Sequence, residues 1–463
     1  TSLHGTSSAS AVMGPRRAGE QSLPVSVTSL LQHVQEQALQ TESEKLASRL
    51  IRLLHCVSPR ITDGDSPKVL EIDLNVVRSL CADGIPDEAP ALRAALWKLL
   101  LGFLPCDAFR WDSAVASSRA DYQTFLQELL SELPADLAQG ASEERPGTWP
   151  SDIDEDHVVP LSEVLDQIRK DVLRTRPEMD FFCRTLAPSS QSLGLEEQRS
   201  SFNPSEVTQA VTSRDPECID VVNPKSHYDV LARILLLYAK LNRGVRYVQG
   251  MNELLAPLYY LFAQDPLNGH HAEADTFFCF SLLMSDMRDA FVKTMDNEEG
   301  GMMGRIDKFS ALLKEKDEEV WKHLEELHVA PVYYTVPWLT LMLTQELDMA
   351  DVLRLWDSLL SDLARPHPLL CYLCVAMVIG IREVLLAGDF TDCMRMLQHY
   401  PPVPVDDLLQ SALRLRAADL TGIGFSSNDL EAAAGGVEAA AAMSKRTGPA
   451  SWWPWLSDLA SRK

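Results

Sequence analysis

The sequence predicts an all-α fold, and three observations carry that prediction. Apolar residues recur at three- and four-residue spacing through most of the chain from Gly84 to about Leu415. Convincing strand alternation is nearly absent. There is also no fixed-period repeat of the kind that marks a solenoid. With 463 residues and 46% hydrophobic content, the chain can bury a large core.

Taken in order, residues 1–28 are Ser/Thr/Ala/Gly-rich, and a flexible segment is expected. They are basic and acid-poor enough to admit an organelle transit peptide. Residues 29–83 form a helical lead-in, with Leu30, Leu31 and Val34 and then Leu46, Leu50, Leu53 and Leu54 in helical register. Within it "KVLEIDLNVV" alternates and is the one strand expected. The main domain is expected over 84–364. "APALRAALWKLLLGFLP" reads as a helix stopped by Gly102 and Pro105, and "RADYQTFLQELLSEL" as a second. "LSEVLDQIRKDVLRTRPEMDFF" is helical from a Ser162 cap, and Pro177 forces the helix to end near Arg174. Residues 187–226, rich in Ser and Gln, read as a long surface insertion. "YDVLARILLLYAKLNRG" should stop at a left-handed Gly244, and the next helix should start with Asn252 as its N-cap. Residues 365–416 supply further helices, and 417–463 form a low-complexity tail ending in "SWWPWLSDLASRK".

Composition excludes several functions. A formal charge of −24 argues against nucleic acid or an anionic membrane as the main partner. Nine scattered Cys fit reduced thiols and a cytoplasmic location. Cys371 and Cys374 form a lone CxxC with no second pair and no nearby His, so two small residues on a buried helix are expected rather than zinc. The apolar run around them is broken by Arg382 and Glu383 before it is long enough to span a membrane.

Three stretches could carry chemistry. "DIDEDHVVPLSE" puts Asp152, Asp154, Asp156 and Glu163 at calcium-loop positions, but His157 stands where the loop needs glycine, so a solvated acidic loop is expected. "QIRKDVLRTRP" gathers Arg169, Lys170, Arg174 and Arg176 in an acidic protein, with Asp171 and Arg174 one helical turn apart. Read locally, Asp171 and Arg174 are either a surface ion pair or the base of an arginine that projects beyond the helix. "YVQGMN" puts Gln249 at the corner of a short connector, where a carboxamide either caps helix ends or meets something outside the chain.

These stretches resemble the signature motifs of TBC-domain Rab GTPase-activating proteins. IxxDxxRT matches "IRKDVLRT" (Ile168 to Thr175), and YxQGMN matches Tyr247 to Asn252. RxxxWxxLLG matches "RAALWKLLLG" with Arg93 and Trp97, and "PWLTLMLTQELDMADVLRLWDSLL" resembles a further family block containing Trp356 and Asp357. "EADTFFCF" and "LLAGDFTDCMRMLQHYP" resemble the family member 13 subgroup, and the likeness runs from about 84 to 410.

The resemblance implies an all-helical GTPase activator acting on a GTP-bound Rab-family partner in membrane trafficking. Arg174 and Gln249 would be the two catalytic fingers, with Asp171 fixing the arginine by a charge-assisted hydrogen bond and Thr175 and Tyr247 bracing both. Arg93, Trp97, Trp356 and Asp357 would be structural. No cofactor or metal of its own is expected, since GTP and Mg²⁺ belong to the partner. A non-catalytic Rab-binding scaffold or a helical adaptor is the alternative. The terminal "WWPWL" allows peripheral membrane contact. Neither the Rab recognised nor the oligomeric state is written in any motif.

Overall fold

The computed structural model describes residues 24–57, 71–133, 160–186, 219–291, 301–362 and 368–421. The N-terminal part holds α1 (Val25–Gln40), α2 (Glu44–Val57), α3 (Leu74–Ala82), α4 (Pro90–Leu100) and α5 (Trp111–Glu132). The middle holds α6 (Leu161–Val172), α7 (Asp180–Cys183), α8 (His227–Leu241), α9 (Met251–Ala263) and α10 (Ala272–Met287). Then follow α11 (Met302–Lys316), α12 (Glu318–Glu326), α13 (Val332–Thr340), α14 (Met349–Ser361), α15 (Pro368–Gly380), α16 (Arg382–Ala387), α17 (Phe390–Gln398) and α18 (Val405–Thr421). Among the described residues there is no strand, only isolated bridges between Glu71 and Asp107 and between Thr185 and Ser226. The all-α expectation holds.

Local chemistry explains several boundaries. α4 opens on Pro90 and closes at Gly102, whose φ of +86° lets its N–H reach Leu99 O while the Phe103 N–H reaches Lys98 O at 2.8 Å. α8 opens on a capping box, with Ser226 and Asp229 each bonding the other's backbone. α1 is pinned to α5 because the Asp112 carboxylate accepts the N–H groups of Val25 and Ser26, at 2.8 and 3.1 Å.

Some expectations need correction. "KVLEIDLNVV" is no strand where it is described: Asp73 accepts the N–H groups of Asn75 and Val76 and starts α3, which packs on α14. Capping plus that tertiary surface overrides the alternation. α1 begins at Val25, inside the segment expected to be flexible. α6 starts at Leu161 after Pro160, so Ser162 is not its cap, and it ends at Val172, two residues before Arg174. The close of the 187–226 stretch is packed rather than exposed, with Ile219 and Val221 buried. α18 runs to Thr421, past the expected start of the tail. The calcium-like Asp152, Asp154 and Asp156, residues 187–218 and the Trp-rich end lie outside the described residues.

One continuous apolar core runs from Val27 to Leu415. α6 lies against α8, α8 and α10 against α9, and α14 against α3, α4 and α9. Farther on, α15 packs against α11, α13 and α18. Cys374 is buried on α15, and burial pushes the Cys371 thiol up to about 12, so both behave as packing residues. Among the described residues, no helix is long and apolar enough to cross a membrane.

Candidate functional site

α6 buries Leu165, Ile168 and Val172, then releases the chain at its end. The next residues alternate sharply in environment. Arg174 is exposed, whereas Thr175 and Arg176 are buried. Arg176 takes a left-handed φ of +46°, a strained backbone for a long side chain. The strain is held by its guanidinium, which donates to Leu347 O at 2.8 Å and to Thr344 O. Those carbonyls belong to the turn between α13 and α14, itself bent through left-handed Met342 and Leu343. The stretch after Arg174 is thus clamped to a distant turn. Thr175 donates its hydroxyl to Asp171 O at 3.1 Å and accepts the Tyr228 hydroxyl on its carbonyl at 3.0 Å.

Gln249 arrives from the other side. α8 stops at Leu241 with Asn242 as its cap, so Gly244 is not the stop that was expected. The left-handed positions of this connector are Arg246, at φ +59°, and Gly250, at φ +102°. Gly250 alone among the twenty residue types adopts that angle without strain. It serves as the N-cap and starts α9 at Met251, two residues earlier than a helix capped by Asn252 would start. Asn252 is therefore not the N-cap. The shift turns its side chain inward, where it is 4% exposed. Gln249 is half-buried at the connector's corner.

The two stretches meet through hydrogen bonds. The Tyr247 hydroxyl donates to Asp171 Oδ2 at 2.9 Å and lies 3.2 Å from Asn252 Oδ1. Asn252 Nδ2 donates to Thr175 Oγ1 at 2.9 Å and to Asp171 O at 3.3 Å, while its Oδ1 accepts the Gly250 N–H at 3.1 Å. Asp171 thus braces Tyr247 directly, and Arg174 reaches the carboxylate as a nearby charge.

Electrostatics follow burial. Burial raises the Asp171 carboxyl, opposed by the Tyr247 hydrogen bond and by the charges of Arg174 and Lys170. Burial and the Asp171 charge push the Tyr247 hydroxyl well up, so the tyrosine is the donor of the pair. Below them Glu253 is pushed up to about 7 by burial, with Arg176 and a hydrogen bond from Gln345 pulling the other way.

A second cluster contains the other motif residues. Asp357 on α14 accepts Trp97 Nε1 at 2.7 Å, the Ile85 N–H at 2.8 Å and Arg93 Nη2 at 3.2 Å. Arg93 also binds Asp87 Oδ1 at 2.7 Å and Ile85 O. Trp97 stacks on Trp356 with ring centroids 5.8 Å apart, and Trp356 Nε1 donates to Met342 O. Trp97, Trp356 and Asp357 are fully enclosed, so this cluster ties α4 to α14 through the interior.

A family model described as the Rab-GTPase-TBC domain matches residues 183–386, a range that holds Gln249 and opens beyond Arg174. TBC1 domain family member 13 of Mus musculus and that of Homo sapiens are each 38% identical over 400 residues, spanning 77% of this chain and 98% of each relative. The chain belongs to the Rab-GTPase-TBC domain family. GTPase-activating protein gyp1 of Schizosaccharomyces pombe is 24% identical over 380 residues, 78% of this chain and 58% of that protein. The crystal structure of the Ypt/Rab-GAP domain of Gyp1p shares the fold, with a TM-score of 0.58 and 20% identity across 81% of this chain and 99% of that one.

In this TBC domain the structure joins Asp171, Thr175 and Tyr247 in one network flanking Arg174 and Gln249. It keeps Arg93, Trp97, Trp356 and Asp357 in another. Sequence reasoning gave no site role to Asn252, Arg176 or Tyr228. Asn252 stood inside the matched YxQGMN motif, and that was its signal; the distant partners of Arg176 and Tyr228 left none.

Proposed function

We propose that this chain is a GTPase-activating protein that stimulates GTP hydrolysis by a Rab-type small GTPase in its GTP-bound state, in the service of membrane traffic. Arg174 and Gln249 are its catalytic residues, delivered in trans. The observation that supports this reading best is the pattern of exposure. An arginine is exposed and a glutamine half-buried, each standing between residues of one buried hydrogen-bond network. Charge gathers on the phosphoryl oxygens as the γ-phosphate leaves, and a planar guanidinium can bridge two of them. The attacking water must be held in line, which suits a carboxamide because it both donates and accepts. The chain supplies these two groups, and nucleotide and Mg²⁺ come with the partner. Family membership and the names of the relatives point the same way.

Single-turnover GTP hydrolysis by a panel of Rab proteins, with and without this chain, is the test. Arg174→Ala is expected to lose on the order of 10³-fold or more of the stimulation, and Arg174→Lys to recover little of it. An Arg174→Ala protein that stimulates its best partner as well as wild type overturns the mechanism. Tight GTP-state binding with no acceleration by the wild-type chain would make it a scaffold instead.

A further inference from the structure

We propose that Asn252 is a positioning residue that holds Arg174 and Gln249 together as one unit. The proposal rests on the functional reading above and concerns how that site is kept in register. Asn252 is 4% exposed, so it acts through other residues rather than on the partner.

Its bonds fall on both sides of each catalytic residue. Nδ2 reaches Asp171 O and Thr175 Oγ1, at 3.3 and 2.9 Å, bracketing Arg174 before and after. Oδ1 accepts the Gly250 N–H at 3.1 Å and lies 3.2 Å from the Tyr247 hydroxyl, bracketing Gln249 in the same manner. One short side chain thus spans segments that are 77 and 81 positions away in sequence and bends back on its own loop. The work needs a donor end and an acceptor end on one neutral group, which a carboxamide supplies. The remaining polar neighbour is Glu253 Oε1, 3.4 Å from Nδ2.

Asn252→Asp separates the halves. It keeps the side chain's size and the acceptor for Gly250, but it removes both N–H donors, so the Arg174 side is released. The rate of Rab GTP hydrolysis is measured against increasing concentration of this chain. The expected result is a fall in the maximal stimulated rate of about 10²-fold, the scale of a misplacement near 1 Å, with little change in the half-saturating concentration. A cycle with Arg174→Ala adds a readout that mere destabilisation would not move. In wild type that substitution costs on the order of 10³-fold, and in the Asn252→Asp background about 10-fold.

A folded Asn252→Asp protein with the wild-type maximal rate, or an unchanged Arg174→Ala penalty in its background, overturns the proposal. Should Asn252→Asp fail to fold, Thr175→Val and Thr175→Ser carry the test, since they remove and keep the hydroxyl that Nδ2 meets. Loss with valine and recovery with serine supports the proposal, and equal rates overturn it. If the wild-type chain accelerates no Rab-type GTPase, the functional reading falls and takes this proposal with it. If it does accelerate one, the outcomes above bear on Asn252 alone.

Discussion

Two hydrogen-bonded clusters hold the motif residues of this chain, and they differ in how they end. The Arg93–Trp97–Asp357 cluster turns inward: all three side chains are nearly or fully buried, and Asp357 accepts Trp97 Nε1, the Ile85 N–H and Arg93 Nη2. The Asp171–Tyr247–Asn252–Thr175 cluster is also buried, yet it is flanked by Arg174, which is exposed, and Gln249, which is half-buried. Similar polar chemistry therefore serves two purposes. A closed cluster fixes how helices cross, whereas an open one fixes where two side chains leave the surface. Burial of a motif residue says little about its role until the exposure of its sequence neighbours is known.

The largest expected effect separates the two clusters by kind of damage. Arg174→Ala should remove the rate stimulation described above while leaving thermal stability near wild type, because an exposed side chain adds little to the fold. Asp357→Ala should do the reverse. It strands Arg93 and the Trp97 N–H in the interior, and losing one partner of a buried ion pair costs about 3–5 kcal/mol. Chemical denaturation measures that loss, and a change below about 1 kcal/mol would break the contrast.

A smaller effect probes what lies beneath the open cluster. Glu253 is raised from 4.5 to about 7 when folded, so the native state binds its proton more tightly than the unfolded chain does. Its contribution to stability is full below about pH 4.5 and is lost as pH rises through about 7. Glu253→Gln should therefore gain on wild type by on the order of 3 kcal/mol across that window. Melting temperatures of both proteins at several pH values check it, and a gap that does not change with pH would refute it. The smallest effect lies at the edge of the closed cluster. Gly102→Ala meets no neighbouring atom, yet must hold φ +86°, so it should cost about 1 kcal/mol through strain alone.

Much of the fold could be read in advance because amphipathic helices advertise themselves by period. The residues that escaped did so for particular reasons. Asn252 follows the usual rules for an N-cap, and only the left-handed turn at Gly250 moves the helix start and swings the carboxamide inside. Arg176 reads as one more arginine at a helix end, since its partners Thr344 and Leu347 lie 168 and 171 positions away. "KVLEIDLNVV" alternates like a strand, but Asp73 caps it as a helix on a surface that local sequence does not display. The motifs that hold Arg174 and Gln249 were legible because their pattern is local. The scaffold that joins them is not, because it is assembled from two stretches more than 70 positions apart.

The Asp357 cluster also has a bearing on biosynthesis. It ties the Ile85 N–H to a carboxylate 272 positions later. A ribosome adding ~5–20 residues per second needs on the order of tens of seconds to cover that distance. Throughout that interval α4 exists without its anchor, and Arg93 and Trp97 have no Asp357 to bind. Closure of the cluster is thus a late event that marks the arrival of α14, and nascent chains cut short before it would expose the Trp97 face to whatever chaperone attends them.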